Sequence, residues 1–496
     1  MRKNLLKWIV TLSVILVCMC LLPTEAQAAT ESDLTFTLNS DGVSYSISKC
    51  NSSASGELVI PATYEGKPVT TIGNSAFAGC ADLTSITIGN SVAIIGERAF
   101  YECTGLTSVA IPNSVTSIGT CAFSCCSKLN HVYITDLVAW CKIEFGSEAS
   151  PLEAGGNLYL NDQLITDLVI PDSITSIGHS AFRGCTSLTS VVIPNSVTNI
   201  GGAAFRGCTS LTSVVIPDSV TSIGGAAFRS CTSLTSVVIP NSVTSIGGAA
   251  LRGCTSLTSV VIPNSVTSID MFTFSDCSRL TSITIPDSVT SISPYVFQNC
   301  VDLTNIIIPN SVTYMGGYAF AGCSKLAYII LPKGIENILV NTFSDTALKK
   351  VFYRGSHADW DRIAPQSGNA NLYQAEIVYD FTGTEIPCDH TWQNSICSIC
   401  GESEPNATNP SEAPTNPSDG TTAPTQESTA ASQPTVAPTE PAGEEKEVTG
   451  GNGTALAFVL GVVLGGSSTA ATFVVVTKKE IIPCLLKTIK TFIRKQ

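Results

Sequence analysis

The chain repeats itself with a period of 23 residues, and this period limits its possible folds more than any other feature. Cysteines mark the period along most of the middle of the chain. They are Cys80, Cys103 and Cys126, followed by Cys185, Cys208, Cys231, Cys254, Cys277, Cys300 and Cys323. Self-similarity at a fixed period indicates stacked units, each of which needs its neighbours to bury its apolar side.

The residue types within one unit predict one coil of a solenoid. Leu188, Val191 and Ile193 follow the L-x-x-L-x-L pattern of a leucine-rich repeat, in which alternate strand residues point into the stack. Pro194 then ends the strand, because proline has no N–H to donate to a ladder. We therefore predict an α/β-type solenoid of about 13 coils over residues 56–349, with a parallel sheet on its concave side.

The repeated units also carry a family resemblance. Stretches such as IPNSVTSIGGAAFRGCTSLTSVVIP resemble the BspA-type leucine-rich repeats of surface proteins from anaerobic bacteria and parasitic protozoa. The resemblance covers residues 56–380. It implies surface adhesion, including binding to host matrix proteins such as fibronectin, and it does not imply an enzyme.

Two segments, residues 130–163 and residues 350–380, break the repeat in a similar way. Each has a strand, a short helix, a tryptophan and a loop that ends in Asn-Leu-Tyr. Thr135 and Ser356 are the predicted helix caps. We predict that the first segment is an insert in the stack and the second its C-terminal cap, with residues 29–55 as the N-terminal cap.

The two ends of the chain predict an exported protein. Residues 1–28 have a basic start, a short apolar run and the site Ala26-Gln27-Ala28, which is typical of a cleaved signal peptide. The alternative is a first transmembrane helix, which the short run and the cleavage site disfavour.

A second apolar segment predicts a membrane anchor. Residues 455–476 carry no charge and are long enough, as a helix, to span a bilayer core of about 30 Å. They follow a Pro/Thr/Ser-rich segment, residues 402–453, which we interpret as a stalk. A basic tail, residues 477–496, comes after them. Because basic flanks stay in the cytoplasm, we expect a single-pass membrane protein with the repeats outside and the C-terminus cytoplasmic.

The strand residue between two inward positions should face the concave side. In six of the coils this position is occupied by an apolar residue, and these residues are Val192, Val215, Val238, Val261, Ile307 and Ile330. An exposed apolar row of this length is typical of a binding site for a partner. The same row would also arise without any ligand, because β-branched residues favour sheets and duplication copies the surface of a repeat. Both interpretations stay open at this point.

A row of basic residues follows the same period. It consists of Arg183, Arg206, Arg229 and Arg252, called the arginine row below. Coils stack at about 4.8 Å, so these like charges lie close together. They either attract an anionic ligand or form exposed pairs with turn residues Asp172 and Asp218.

The cysteines fall into two groups. The repeat cysteines should point inward about 4.8 Å apart, which misses the Cβ separation of roughly 3.8 Å that a disulfide prefers, so we predict small buried hydrophobes. Residues 386–401 contain a separate cluster, CDHTWQNSICSICG. Its candidate ligands for a structural zinc ion are Cys388, His390, Cys397 and Cys400. A disulfide within this cluster is the alternative.

The net charge and the histidine content of the chain limit its possible functions. The net charge of −13 disfavours nucleic acid as a partner. The chain has four histidines, and none stands in a nucleophile–base pattern, so we expect no enzyme. The sequence favours a surface-displayed protein that recognises an extracellular protein or glycan through the solenoid. A structural protein of the cell envelope without a specific ligand is the alternative.

Overall fold

The computed structural model describes residues 28–363 and 365–387, together with two short strands, Trp392–Gln393 and Ile396–Cys397. The predicted stalk, anchor and basic tail lie outside these residues, as does the predicted signal peptide up to residue 27. Within the described part of the chain, no helix has the length and apolar character needed to cross a membrane.

The repeats form a parallel β-solenoid of about 14 turns. One side of each coil, the long-strand side, contributes a strand to one of three sheets. The first sheet contains Gly56–Val59, Leu83–Thr87, Ser108–Ala110, His131–Ile134, Asn157–Leu160 and the antiparallel Gln163–Leu164. The second contains Asp167–Val169, Ser190–Val192, Ser213–Val215, Ser236–Val238, Ser259–Val261 and Ser282–Thr284. The third contains Asn305–Ile307, Tyr328–Leu331, Lys350–Tyr353 and Glu376–Val378.

The other side, the short-strand side, is built mainly of two-residue strands. They are Ile94–Ile95, Ser117–Ile118, Glu144–Phe145, Ser176–Ile177, Asn199–Ile200, Ser222–Ile223, Ser245–Ile246, Ser291–Ile292, Tyr314–Met315 and Asn337–Ile338. At the N-terminal end, the 3₁₀ turn Glu31–Asp33 precedes Leu34–Leu38, which pairs antiparallel with Tyr45–Cys50. Tyr45–Cys50 pairs parallel with Lys67–Ile72, on which Thr63–Tyr64 lies antiparallel.

The α/β part of the predicted fold class is wrong. The described helices, Leu137–Cys141, His357–Trp360 and Ala370–Gln374, all lie in the two segments that break the repeat. In the coils, β-branched residues of the V-T-S-I stretch favour extended backbone. The chain then bends through a left-handed residue such as Ala203, with φ of 54°, which a right-handed helix cannot contain.

The interior follows the predicted inward positions. Leu188, Val191 and Ile193 are buried, and their counterparts in neighbouring coils stand beside them at a shift of 23 residues. Phenylalanines form a buried column, in which the rings of Phe182, Phe205 and Phe228 follow one another at centroid distances of 5.5 Å. The column continues from Phe274 to Phe343, after a single leucine at position 251.

The repeat cysteines are free and buried, as predicted. Most of these thiols also donate to the carbonyl oxygen of the residue 26 positions earlier, which the sequence did not predict. The thiol of Cys208 donates to the carbonyl oxygen of Phe182 at 3.2 Å, and that of Cys231 donates to Phe205 at 3.2 Å. Burial raises the pKa of the Cys208 thiol well above its usual range, so these side chains act as neutral core residues.

The first break adds a turn that the sequence analysis did not count. Asn157–Leu160 pairs parallel with His131–Ile134 and then reverses into Gln163–Leu164, where the first long-strand sheet ends. Trp140 is buried and its indole N–H donates to the carbonyl oxygen of Ala181 at 3.0 Å. The segment is therefore fastened to the coil that follows it.

One of the two predicted helix caps is wrong. The first helix is capped by Asp136, whose carboxylate accepts bonds from the N–H groups of Val138 and Ala139 at 2.8 and 3.0 Å. Thr135 lies one residue too early to reach these groups. The prediction for Ser356 is confirmed, and Asp359 completes a reciprocal capping box with it.

Candidate functional site

An apolar row lies exposed on the outer face of the second long-strand sheet. Its members are in register on five consecutive coils and form the valine ribbon, which is Val169, Val192, Val215, Val238 and Val261. Between 56% and 70% of each side chain is exposed. Alternation along each strand explains the exposure, because the valine follows an inward residue such as Val191. Four of the five were predicted to face outward, and the structure places them there.

Val169 was missed by the sequence analysis, although it is 63% exposed and opens the ribbon. Its coil follows the insert and reads DLVIPD instead of SVVIPN, so it was not grouped with the others. The shared V-I-P triplet was the signal that would have found it. The same triplet marks Val59, which is 66% exposed at the equivalent position of the first coil.

The prediction of an exposed Ile330 is wrong. Ile307 keeps 36% of its surface exposed, whereas Ile330 is fully buried. Ile330 is flanked in the sheet by Phe352, and the ring of Phe352 packs on Phe381 with a centroid distance of 4.9 Å. The N–H of Phe381 also donates to the carbonyl oxygen of Tyr353 at 3.1 Å. The chain's own C-terminal segment thus covers the end of the outer face.

The arginine row divides into paired ends and an unpaired centre. Arg183 is buried against Glu153 of the insert, with which it forms an ion pair. Arg252 pairs with Asp276 at 3.0 Å and lies 5.0 Å from the ring centroid of Phe272. The row is therefore partly paired, but the predicted partners Asp172 and Asp218 are wrong, because neither forms an ion pair with it within the described residues.

The two central members, Arg206 and Arg229, form no ion pair within the part of the chain that the structure describes. Both of Arg252's partners come from the next coil. For Arg206 the equivalent positions are Ala226 and Ser230, which carry no charge and no ring. For Arg229 they are Ala249 and Gly253. The repeat therefore presents two neighbouring cations that it does not neutralise.

A second set of aromatic residues begins where the arginine row ends. Phe272, Tyr295 and Tyr318 form the aromatic ladder, with centroid distances of 4.6 and 5.0 Å and nearly parallel rings. They are half-buried and occupy the position that is alanine in the three preceding coils. Neither tyrosine hydroxyl has a hydrogen-bond partner among the described residues. The ladder was not predicted from the sequence, because its position changes from alanine to an aromatic residue along the solenoid and does not follow the repeat.

A third aromatic group lies on the outer face of the first long-strand sheet. The rings of His131 and Tyr159 have centroids 5.3 Å apart, and Tyr133 and Tyr159 are 5.0 Å apart. Burial is the first cause that raises the pKa of Tyr133, followed by the nearby Tyr159 and Asp162. These residues stand in the insert, so the outer face changes from aromatic to aliphatic where the sheet breaks.

The predicted zinc ligands cannot be placed. Cys388, His390 and Cys400 lie outside the described residues, and only the strand position of Cys397 is described. Among the residues that are described, no group of three or more His, Cys, Asp or Glu could hold a metal ion. A cleft beside Trp140, lined also by Ile111 and Asp136, is too narrow to hold a water molecule.

The register and the apolar positions define a β-solenoid built of leucine-rich repeats. The sequence profile of the BspA type leucine rich repeat region matches residues 56–144, 154–270 and 245–364, in six copies that together cover more than half of the chain. The chain therefore belongs to the BspA-type leucine-rich-repeat family.

The chain is also similar to solved structures. A leucine-rich cell surface protein from Faecalibacterium prausnitzii is 31% identical, with a TM-score of 0.50 over 68% of this chain and 97% of its own. A leucine-rich repeat protein from Bacteroides ovatus is 27% identical, with a TM-score of 0.38 over 70% of this chain and 98% of its own. No curated protein matches the chain.

Proposed function

We propose that this protein is exported and displayed on a cell surface, where it binds an extracellular protein through the valine ribbon. The observation that carries the proposal is the row of five exposed valines in register, since a soluble surface rarely leaves so many aligned apolar side chains open to water. Membership of a family of surface proteins agrees with this role. Families with this fold are typically binding scaffolds and not enzymes.

The choice of a protein partner rests on the chain's own C-terminal segment. At the end of the outer face, Phe381 lies on Phe352 while its backbone bonds to Tyr353. At this end the outer face therefore accommodates a large apolar side chain whose backbone bonds to the solenoid. We infer that a partner places similar side chains on the valine ribbon, where burial of each valine contributes about 1 to 2 kcal/mol at most.

The proposed location at the cell surface also assigns roles to segments that lie outside the described residues. Residues 1–28 would direct export, residues 455–476 would anchor the chain, and residues 402–453 would hold the solenoid away from the membrane. We also propose a structural zinc ion bound by the cluster at residues 386–401.

The test measures binding of the purified full-length protein to an array of matrix proteins and glycans. One variant replaces Val192, Val215, Val238 and Val261 by threonine, which keeps the shape and the charge and removes only apolar surface. A second replaces the same four by glutamate. The matched control puts glutamate at four exposed threonines on the short-strand side, which are Thr198, Thr221, Thr244 and Thr267.

We expect saturable binding to a protein on the array, weakened by at least about tenfold in the threonine variant and abolished in the glutamate variant. The control should bind like the natural chain, and circular dichroism should show the same fold in all four. Binding that survives in both valine variants would show that the valine ribbon is not the binding surface. No binding at all would favour a structural protein of the cell envelope.

A further inference from the structure

The centre of the arginine row is a concentrated positive charge on an acidic protein. The carbonyl oxygen of Arg206 accepts a bond from Gly184 at 2.7 Å, and that of Arg229 accepts one from Gly207 at 2.8 Å. These bonds fix the two arginines at equivalent positions of adjacent coils, about 4.8 Å apart along the solenoid. Both side chains are half-buried, so part of each long stem is held against the coil.

The protein keeps these two cations close together at a cost. Burial lowers the pKa of the Arg206 guanidinium, and the like charges of Arg183 and Arg229 lower it further. The nearest acidic groups, Glu153 and Glu148, act in the opposite direction, but Glu153 is already paired with Arg183. An anionic group that bridges the two guanidinium groups would relieve this repulsion and gain charge-assisted hydrogen bonds.

The aromatic ladder extends this surface along the same line. Arg252 links the two parts, because it follows Arg229 by one coil and its guanidinium lies 5.0 Å from the ring centroid of Phe272. Tyr295 and Tyr318 follow, with hydroxyls that no described residue uses. Seven consecutive coils thus carry either an arginine or an aromatic ring at neighbouring positions. The cations and the phenols repeat at one step per coil, so a linear ligand with regular groups could match them.

We propose that the arginine row and the aromatic ladder together form a binding site for an anionic polysaccharide that lies along the solenoid. Its carboxylate or sulfate groups contact Arg206 and Arg229, and its hydroxyl groups exchange hydrogen bonds with Tyr295 and Tyr318. The site shares no residue with the valine ribbon, so its test is independent of the proposed function.

A polysaccharide fits this surface better than a single-stranded nucleic acid. The rings of the aromatic ladder already stack on one another at interplanar angles of 12° and 6°, so both faces of the central ring, that of Tyr295, are covered. Bases need an open ring face on which to stack.

The experiment measures binding of the full-length protein to heparin, polygalacturonate, neutral dextran and a thymidine oligonucleotide at several salt concentrations. The test variant is Arg206→Gln with Arg229→Gln. The matched control is Arg98→Gln with Arg279→Gln, which removes the same charge from exposed arginines elsewhere. A third variant, Tyr295→Phe with Tyr318→Phe, removes only the two hydroxyls.

We expect binding to heparin, polygalacturonate or both, and no binding to dextran. The test variant should bind at least about tenfold more weakly, the control should bind within about twofold of the natural chain, and the phenylalanine variant should fall in between. Heparin alone would assign sulfate as the preferred group and polygalacturonate alone would assign carboxylate. Equal losses in test and control, tighter binding of the oligonucleotide, or no binding to either polysaccharide would overturn the proposal.

Discussion

Replacing Phe205 by leucine measures how much the buried phenylalanine column contributes to the stability of the solenoid. Phe205 stands between Phe182 and Phe228, with both centroid distances at 5.5 Å and interplanar angles of 9° and 5°. Leucine is the informative substitution because the protein uses it at the same position two coils later, as Leu251, which is also buried. The coil geometry therefore accepts leucine without a change of backbone.

The expected loss follows from the two ring contacts. Each aromatic pair contributes about 0.5 to 1.5 kcal/mol beyond the area it buries, so losing both costs about 1 to 3 kcal/mol. The smaller side chain leaves space in a closely packed core, which adds about 1 kcal/mol. We therefore expect the Phe205→Leu change to lower the free energy of unfolding by about 2 to 4 kcal/mol. The reverse change, Leu251→Phe, should raise it by about 1 kcal/mol because it joins the two halves of the column.

Urea unfolding of the full-length protein, followed by far-ultraviolet circular dichroism, provides the measurement. The midpoint should fall for Phe205→Leu and rise for Leu251→Phe, with the slope of each transition unchanged. A loss below about 0.5 kcal/mol in the first variant would refute the claim that ring contacts stabilise the stack. A loss of stability in the second would show that the leucine coil has no room for a ring.

Three further outcomes are expected. Cys231 should resist alkylation by iodoacetamide at pH 8 in the folded protein and react in urea, because burial raises the pKa of its thiol well above the usual range. Mass spectrometry that finds this residue labelled in the folded chain would contradict the burial. Trp140→Phe should lower the free energy of unfolding by about 1 to 3 kcal/mol, because the buried carbonyl of Ala181 loses its hydrogen-bond donor. An unchanged urea midpoint would show that this hydrogen bond does not hold the insert to the next coil. Hydrogen bonds from Ser356 lower the pKa of Asp359 to about 2, so the stabilisation by its carboxylate should be complete above about pH 4 and lost between about pH 4 and pH 2. An Asp359→Asn variant should therefore be less stable than the natural chain at pH 7 and equally stable at pH 2. Equal stability at pH 7, or the same loss at pH 2 as at pH 7, would contradict this assignment.

The repeat made the interior of the solenoid predictable from sequence. Once the period is known, each residue has the same neighbours in the next coil, so one inward position such as Val191 settles its counterparts. The burial of the repeat cysteines followed for the same reason. The α/β part of the fold class was wrongly predicted because it follows from a general leucine-rich pattern, whereas the β-branched residues after the strand favour extended backbone.

The candidate sites were predictable only where they obey the repeat. The exposed valines were found, but Ile330 was misjudged because Phe381, far along the chain, covers that end of the outer face. The partner of Arg183 comes from the insert, and that of Arg252 is an aspartate that replaces the usual glycine or serine. Contacts of these kinds arise from residues and segments that depart from the period, so the period does not predict them.

The near identity of the coils that carry the valine ribbon changes what binding means at this surface. Four successive strands, Ser190–Val192, Ser213–Val215, Ser236–Val238 and Ser259–Val261, have the same sequence. A partner that contacts only one of them has four equivalent docking positions, which favours the bound state by about 0.8 kcal/mol through statistics alone. Such a partner can also step from one position to the next without leaving the surface. A ligand on the ribbon is then retained by the number of equivalent binding positions and not by a high affinity for any one of them.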